Sequence, residues 1–124
     1  MSNMIIDFKW ERGSKSISWH WDGKLISKMY HFPVRVANLL EDKTGVAVVE
    51  PFEEKGRDNA VVFNADGSER FRLKFPLPEP HGNYYFDFYY VMGRLTAFAN
   101  LRGTDFAYEL NPQTGEVLKT YETR

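Results

Sequence analysis

Val61-Val62-Phe63-Asn64-Ala65-Asp66-Gly67-Ser68-Glu69-Arg70-Phe71-Arg72-Leu73-Lys74-Phe75 reads as strand, reversal, strand. In its second half Phe71, Leu73 and Phe75 fall at every second position, and Arg70, Arg72 and Lys74 fill the places between. Successive side chains of a strand point to opposite faces, so this spacing sends three apolar groups to a core and three cations to water. Asn64-Ala65-Asp66-Gly67 suits a type I turn closed by a G1 bulge, with Gly67 in the left-handed region that glycine enters without a Cβ penalty. The stretch is an antiparallel hairpin.

The same alternation sets Ile17, Trp19 and Trp21 against Ser16, Ser18 and His20, and Phe106, Tyr108 and Leu110 against Ala107, Glu109 and Asn111. Met4–Trp10, Lys24–Tyr30, Val34–Leu40, Val46–Glu50, Asn59–Asn64, Tyr84–Val91, Arg94–Leu101 and Glu116–Glu122 are further strands, most of them rich in β-branched or aromatic residues. Val34–Lys43 has some helical spacing, but Pro33 and Thr44-Gly45 leave too short a window, and a strand is expected. The reading is all-β: an antiparallel meander of about eleven strands. Reversals fall at Asp22-Gly23, Glu41 to Gly45, Asn64 to Gly67, Met92-Gly93 and Asn111 to Gly115. Gly45 to Gly67 and Gly93 to Gly115 are each 22 residues apart, and the second pair is displaced from the first by 48. This spacing divides a single domain, residues 1–124, into blade-like units of about 1–32, 33–76 and 83–121.

Tyr108-Glu109-Leu110-Asn111-Pro112-Gln113-Thr114-Gly115-Glu116-Val117-Leu118-Lys119-Thr120-Tyr121 resembles the outer hairpin of β-propeller blades in quinoprotein-like repeat families, and Val61 to Ser68 is similar. The resemblance concerns architecture and carries no catalytic residue. A closed propeller needs about four blades or more, so the two to three units expected here form an open structure. Its bare strand edges could pair with a second copy of the chain, giving a homo-oligomer.

Sixteen Lys and Arg against seventeen Asp and Glu leave a formal charge of −1 with no basic run, which argues against nucleic-acid binding. The absence of cysteine removes disulfides, thiolate nucleophiles and thiolate metal sites. No apolar run approaches a membrane span and Met1 to Trp10 lacks the pattern of a signal peptide, so a soluble cytoplasmic protein is expected. His20, His31 and His81 share no ligand spacing, and no nucleotide, P-loop or hydrolase motif occurs. Neither metal nor cofactor is expected.

Two places concentrate recognition chemistry. In Tyr84 to Tyr90, a two-residue loop at Met92-Gly93 would put Tyr84, Phe86, Phe88 and Tyr90 opposite Leu101, Ala99, Ala97 and Leu95, turning Tyr85, Asp87 and Tyr89 outward with Arg94, Thr96 and Phe98; a bulge at Gly93 would slip the register. In Trp19-His20-Trp21-Asp22, His20 and Asp22 share a side, where the carboxylate could orient the imidazole. Trp19, His20, Asp22, Tyr85, Asp87 and Tyr89 are the candidate binding residues. Without a reaction motif, the favoured function is a non-catalytic module that recognises a protein partner, as a small cytosolic inhibitor or immunity-type protein does. The alternative is a small-ligand binder or enzyme with a cleft around His20, Asp22 and Asp87. Pro51 to Asn59 reads as a solvated polar connector, and the proline-rich Pro76 to Gly82 as a linker or docking edge.

Overall fold

A computed structural model of the chain describes residues 4–76 and 83–123. His81 and almost all of the proline-rich connector lie outside the described residues. The strands are β1 (Ile6–Lys9), β2 (Ser16–Trp21), β3 (Lys24–Met29), β4 (Val36–Leu39), β5 (Gly45–Val49), β6 (Ala60–Asn64), β7 (Glu69–Arg72), β8 (Tyr85–Val91), β9 (Arg94–Leu101), β10 (Thr104–Leu110) and β11 (Val117–Glu122), with one short helix, α1 (Phe52–Lys55), between β5 and β6. They form three antiparallel meanders, β1-β2-β3, β4-β5-β6-β7 and β8-β9-β10-β11. All three sheets are open, and their grouping is compatible with blade-like repeats.

The middle sheet is covered on both faces. On β5 and β6, Val46, Val48, Val61 and Phe63 pack with Ile5, Ile17 and Trp19 of the N-terminal sheet, while Ala47, Val49, Ala60 and Val62 pack with Phe88, Leu95, Ala97 and Leu110 of the C-terminal sheet. This explains why β5 and β6 are unbroken apolar runs whereas β2 and β10 alternate: only the end sheets keep a face towards solvent. At the β8–β9 reversal, Met92 at φ 50° and Gly93 at φ 81° form a two-residue hairpin loop, with Tyr90 opposite Leu95 and Phe88 opposite Ala97. The two-residue alternative therefore holds near the loop. A bulge between Tyr85 and Asp87 then shifts the pairing, so that Tyr85 rather than Phe86 faces Ala99.

Three local expectations need correction. Pro51 to Asn59 is docked, not solvated: Phe52 stacks on Tyr84 with ring centroids 4.1 Å apart, and the Glu54 carboxylate accepts from the His31 and Phe32 N–H groups at 2.6 and 2.8 Å. Arg70 and Arg72 do not point freely into water. Arg70 donates to Asn64, Thr44 and Pro112, tying three reversals together, and Arg72 donates at 2.7 Å to the buried carboxylate of Glu50. Val34–Leu40 shortens to β4, with Val34 and Leu40 buried at its ends.

Asn59 joins the middle and C-terminal sheets. Fully buried, its Nδ2 donates to the carbonyls of Glu50 and Tyr85, and its Oδ1 accepts from the Tyr85 N–H, each at 3.0 Å. Asn59→Ala would leave that N–H and both carbonyls without these bonds. With about 1–3 kcal/mol for each buried polar group left unpaired, urea unfolding should show a loss of roughly 3 kcal/mol. A loss below about 1 kcal/mol would mean that water takes over the role of the amide.

Candidate functional site

The six candidate residues separate into core and surface. Trp19 is fully buried between the N-terminal and middle sheets, and its Nε1 donates to the Ala65 carbonyl at 2.7 Å. Tyr85 is also buried, turned inward by the bulge, with its hydroxyl donating to the Lys74 carbonyl at 2.8 Å. Burial pushes the Tyr85 hydroxyl well above the ordinary tyrosine value, with smaller contributions from Tyr108 and Asp58. Both residues hold the core together and neither can meet a partner, which corrects their placement on a recognition surface.

His20 and Asp22 remain at the surface, apart from Asp87. His20 lies on the outer face of the N-terminal sheet, in register between Ile6 of β1 and Leu25 of β3. The carboxylate beside it is Asp7, not Asp22: His20 Nδ1 stands 3.6 Å from Asp7 Oδ2. Asp7 reaches this position from the irregularity in β1, where its φ is 55°. Asp22, at φ 52°, occupies the exposed β2–β3 loop. Among the described residues no group of three or more His, Cys, Asp or Glu side chains gathers as a metal site, and no helix is long and apolar enough to cross a membrane.

Asp87 and Tyr89 belong to the outer face of the C-terminal sheet. There Tyr89 of β8 stacks on Phe98 of β9 with centroids 5.0 Å apart and planes 17° from parallel, and Phe86 approaches the same ring at 6.3 Å. Phe98 is buried beneath its neighbours, while Phe86 and Tyr89 each keep 39% of their surface in solvent. Ala107 and Thr96 on this face are covered, so the aromatic rings sit on a dense, flat base. Asp87 is half-buried beside them. Burial pushes its carboxyl above the ordinary value, against the opposing effects of the Phe88 N–H and the charge of Arg12. The arrangement offers rigid ring surface next to a half-buried carboxylate that accepts from the Phe88 N–H.

Phe86 and Phe98 are not among the candidate residues, although alternation turns Phe98 outward together with Arg94 and Thr96. Phe86 comes to the face only through the bulge. Phe98 shares the parity expected for Thr96 and Arg94, and its alanine neighbours at 97 and 99 were the available signal that the ring points away from the packed side.

No protein-family model and no curated protein matches the chain. Among solved structures, a chain of the complex of Tne2 with Tni2 is similar in fold, with a TM-score of 0.74 and 16% sequence identity over 93% of this chain and 82% of that one. At this identity the likeness shows a shared fold of three stacked meanders, and it is a fold found within a two-protein complex.

Proposed function

We propose that the chain is a non-catalytic, cytosolic binding module that recognises a protein partner through the outer face of its C-terminal sheet, in the manner of a small inhibitor or immunity-type protein. The observation that carries this reading is the pair of solvent-facing rings, Phe86 and Tyr89, packed over the buried Phe98 on a rigid sheet. Aromatic anchors of this kind supply contact area at little entropic cost and dominate protein interfaces. The occurrence of a similar fold in the Tne2–Tni2 complex supports the reading. The Asp7–His20 pair, lying on a different face, does not assemble with Asp87 into the cleft that an enzyme reading needs.

The immobilised chain and its Phe86→Ser/Tyr89→Ser variant, both checked for native circular dichroism, are exposed to lysate of the source cells. The wild type should retain a partner that the variant binds about 30-fold more weakly, as expected for loss of roughly 2 kcal/mol at an interface hot spot. Equal retention by both chains, or no enriched protein with either, would overturn the proposal.

A further inference from the structure

The cleft beside the β8–β9 hairpin tip takes up about 580 Å³. Its floor is Tyr90, Leu95 and Leu110; Glu41 and Asp42, in the β4–β5 turn, form one wall, and Arg94 and Glu109 lie on the other. The lining therefore carries three carboxylates against one guanidinium. Arg94 and Glu109 stand 3.9 Å apart and largely compensate each other, which leaves the acidic wall in excess. Lys43, the next residue of the turn, is not part of the lining. Asp42 is held ionised: burial pushes its carboxyl up, but the hydroxyl and N–H of Thr44 and the charge of Arg70 more than offset this.

Met92 stands at the rim, and it is the unusual residue. It is 97% exposed and holds φ 50°, in the left-handed region where Gly, Asn and Asp are the favoured occupants of a two-residue hairpin loop. An unbranched apolar side chain here gains no burial and occupies a backbone conformation that L side chains disfavour. Its thioether is flexible and polarisable, suited to packing on irregular partner surfaces.

From the acidic wall, the apolar floor and the projecting thioether together, we propose that this cleft takes a basic, leucine-type segment of the protein partner, with lysine or arginine on Glu41 and Asp42 and an apolar side chain against Met92. The inference rests on the protein-recognition reading, yet can be tested apart from it. Charge complementarity identifies the occupant: Thr44 and Arg70 already partner one side of Asp42, and a basic segment would match the excess negative charge of Glu41 and Asp42 where an acidic one would be repelled.

The probe is a fluorescein-labelled hexapeptide alternating lysine and leucine, compared by fluorescence anisotropy with its glutamate–leucine counterpart. The wild-type chain should bind the lysine peptide at least tenfold more tightly than the glutamate peptide, and more weakly as salt is added. Glu41→Lys leaves the turn's hydrogen bonds in place, since only the Glu41 N–H is engaged, by the Tyr90 hydroxyl. Asp42→Asn keeps an oxygen to accept from Thr44. The double variant should lose about tenfold in lysine-peptide affinity while melting within a few degrees of the wild type. Met92→Asn should melt about 3 °C higher through relief of the left-handed strain, and bind the peptide about fivefold more weakly. Equal binding of the two peptides, binding indifferent to Glu41→Lys/Asp42→Asn, or Met92→Asn that neither gains stability nor loses affinity would overturn the inference. If peptide binding behaves as expected but lysate capture yields no partner, the sheet-face reading fails and the cleft stands; if capture succeeds with no peptide selectivity, the cleft fails and the sheet-face reading stands.

Discussion

Trp19→Ala should lower the unfolding free energy by about 4 kcal/mol, within the 3–5 kcal/mol that truncating a core tryptophan costs. The indole is completely buried against Ile17, Val61 and Phe63 in the core between the N-terminal and middle sheets, and Nε1 donates to the Ala65 carbonyl across the β6–β7 reversal. Truncation removes the largest buried side chain and leaves that carbonyl without its donor. Small domains hold only about 5–15 kcal/mol in all, so the variant should begin to unfold near physiological temperature. Trp19→Phe keeps most of the packing and should lose about 2 kcal/mol. Urea titration followed by far-ultraviolet circular dichroism measures both; a loss below about 1 kcal/mol for Trp19→Ala would place the ring outside the core.

Glu50→Ala should be nearly as damaging, at about 3–5 kcal/mol. Glu50 is buried at the end of β5, its Oε1 accepting from Arg72 at 2.7 Å and its Oε2 from the Tyr30 hydroxyl at 2.5 Å. Tyr30 follows β3 and Arg72 closes β7, so one carboxylate links the N-terminal sheet to two strands of the middle one. Burial works against the Arg72 charge, but Glu69 and Glu50 more than offset it and push the guanidinium above its ordinary value. Burial, reinforced by the bond to Glu50, pushes the Tyr30 hydroxyl up as well. Removing Glu50 strips both groups of their acceptor, and Arg72 keeps only the partly exposed Glu69 and the Asp58 carbonyl. Glu50→Gln retains a hydrogen-bonding shape without the charge and should lose about 2 kcal/mol. Urea rather than guanidinium is the denaturant of choice, because added salt would screen the pair. Equal stabilities for wild type and Glu50→Ala would show that the cluster contributes nothing net.

Much of the fold was legible because its signals are local. Alternation marks each strand and glycine-bearing reversals mark each hairpin, so β2, β7, β9 and β10 can be read from a few residues apiece. Parity was harder to turn into place. Trp19-His20-Trp21 shows that the tryptophans share a face, but not whether that face is inside; β5 and β6 of the middle sheet, which decide it, lie more than twenty residues away. Tyr85 was misplaced for a different reason, since one bulged residue reverses every face assignment before it and no residue type in Tyr84 to Tyr90 announces the bulge. The charged connector hid its structure in composition: Glu53, Glu54 and Asn59 look solvated in sequence, and become anchors only when Arg35, Tyr84–Tyr85 and the His31–Phe32 backbone arrive beside them. Tyr89 and Asp87 turn outward as alternation predicts because they lie on the loop side of that bulge, where the simple two-residue register holds.

The recognition surface can be mapped by hydroxyl-radical footprinting of the chain, free and bound to its captured partner, because oxidation of Phe, Tyr, Leu and Met side chains follows their exposure to solvent. Partner binding should protect Phe86 and Tyr89 several-fold and leave Leu25 and Met29, exposed on the opposite end sheet, as reactive as before. Protection of Leu25 and Met29 with Phe86 and Tyr89 unchanged would contradict the account and move recognition to the N-terminal sheet.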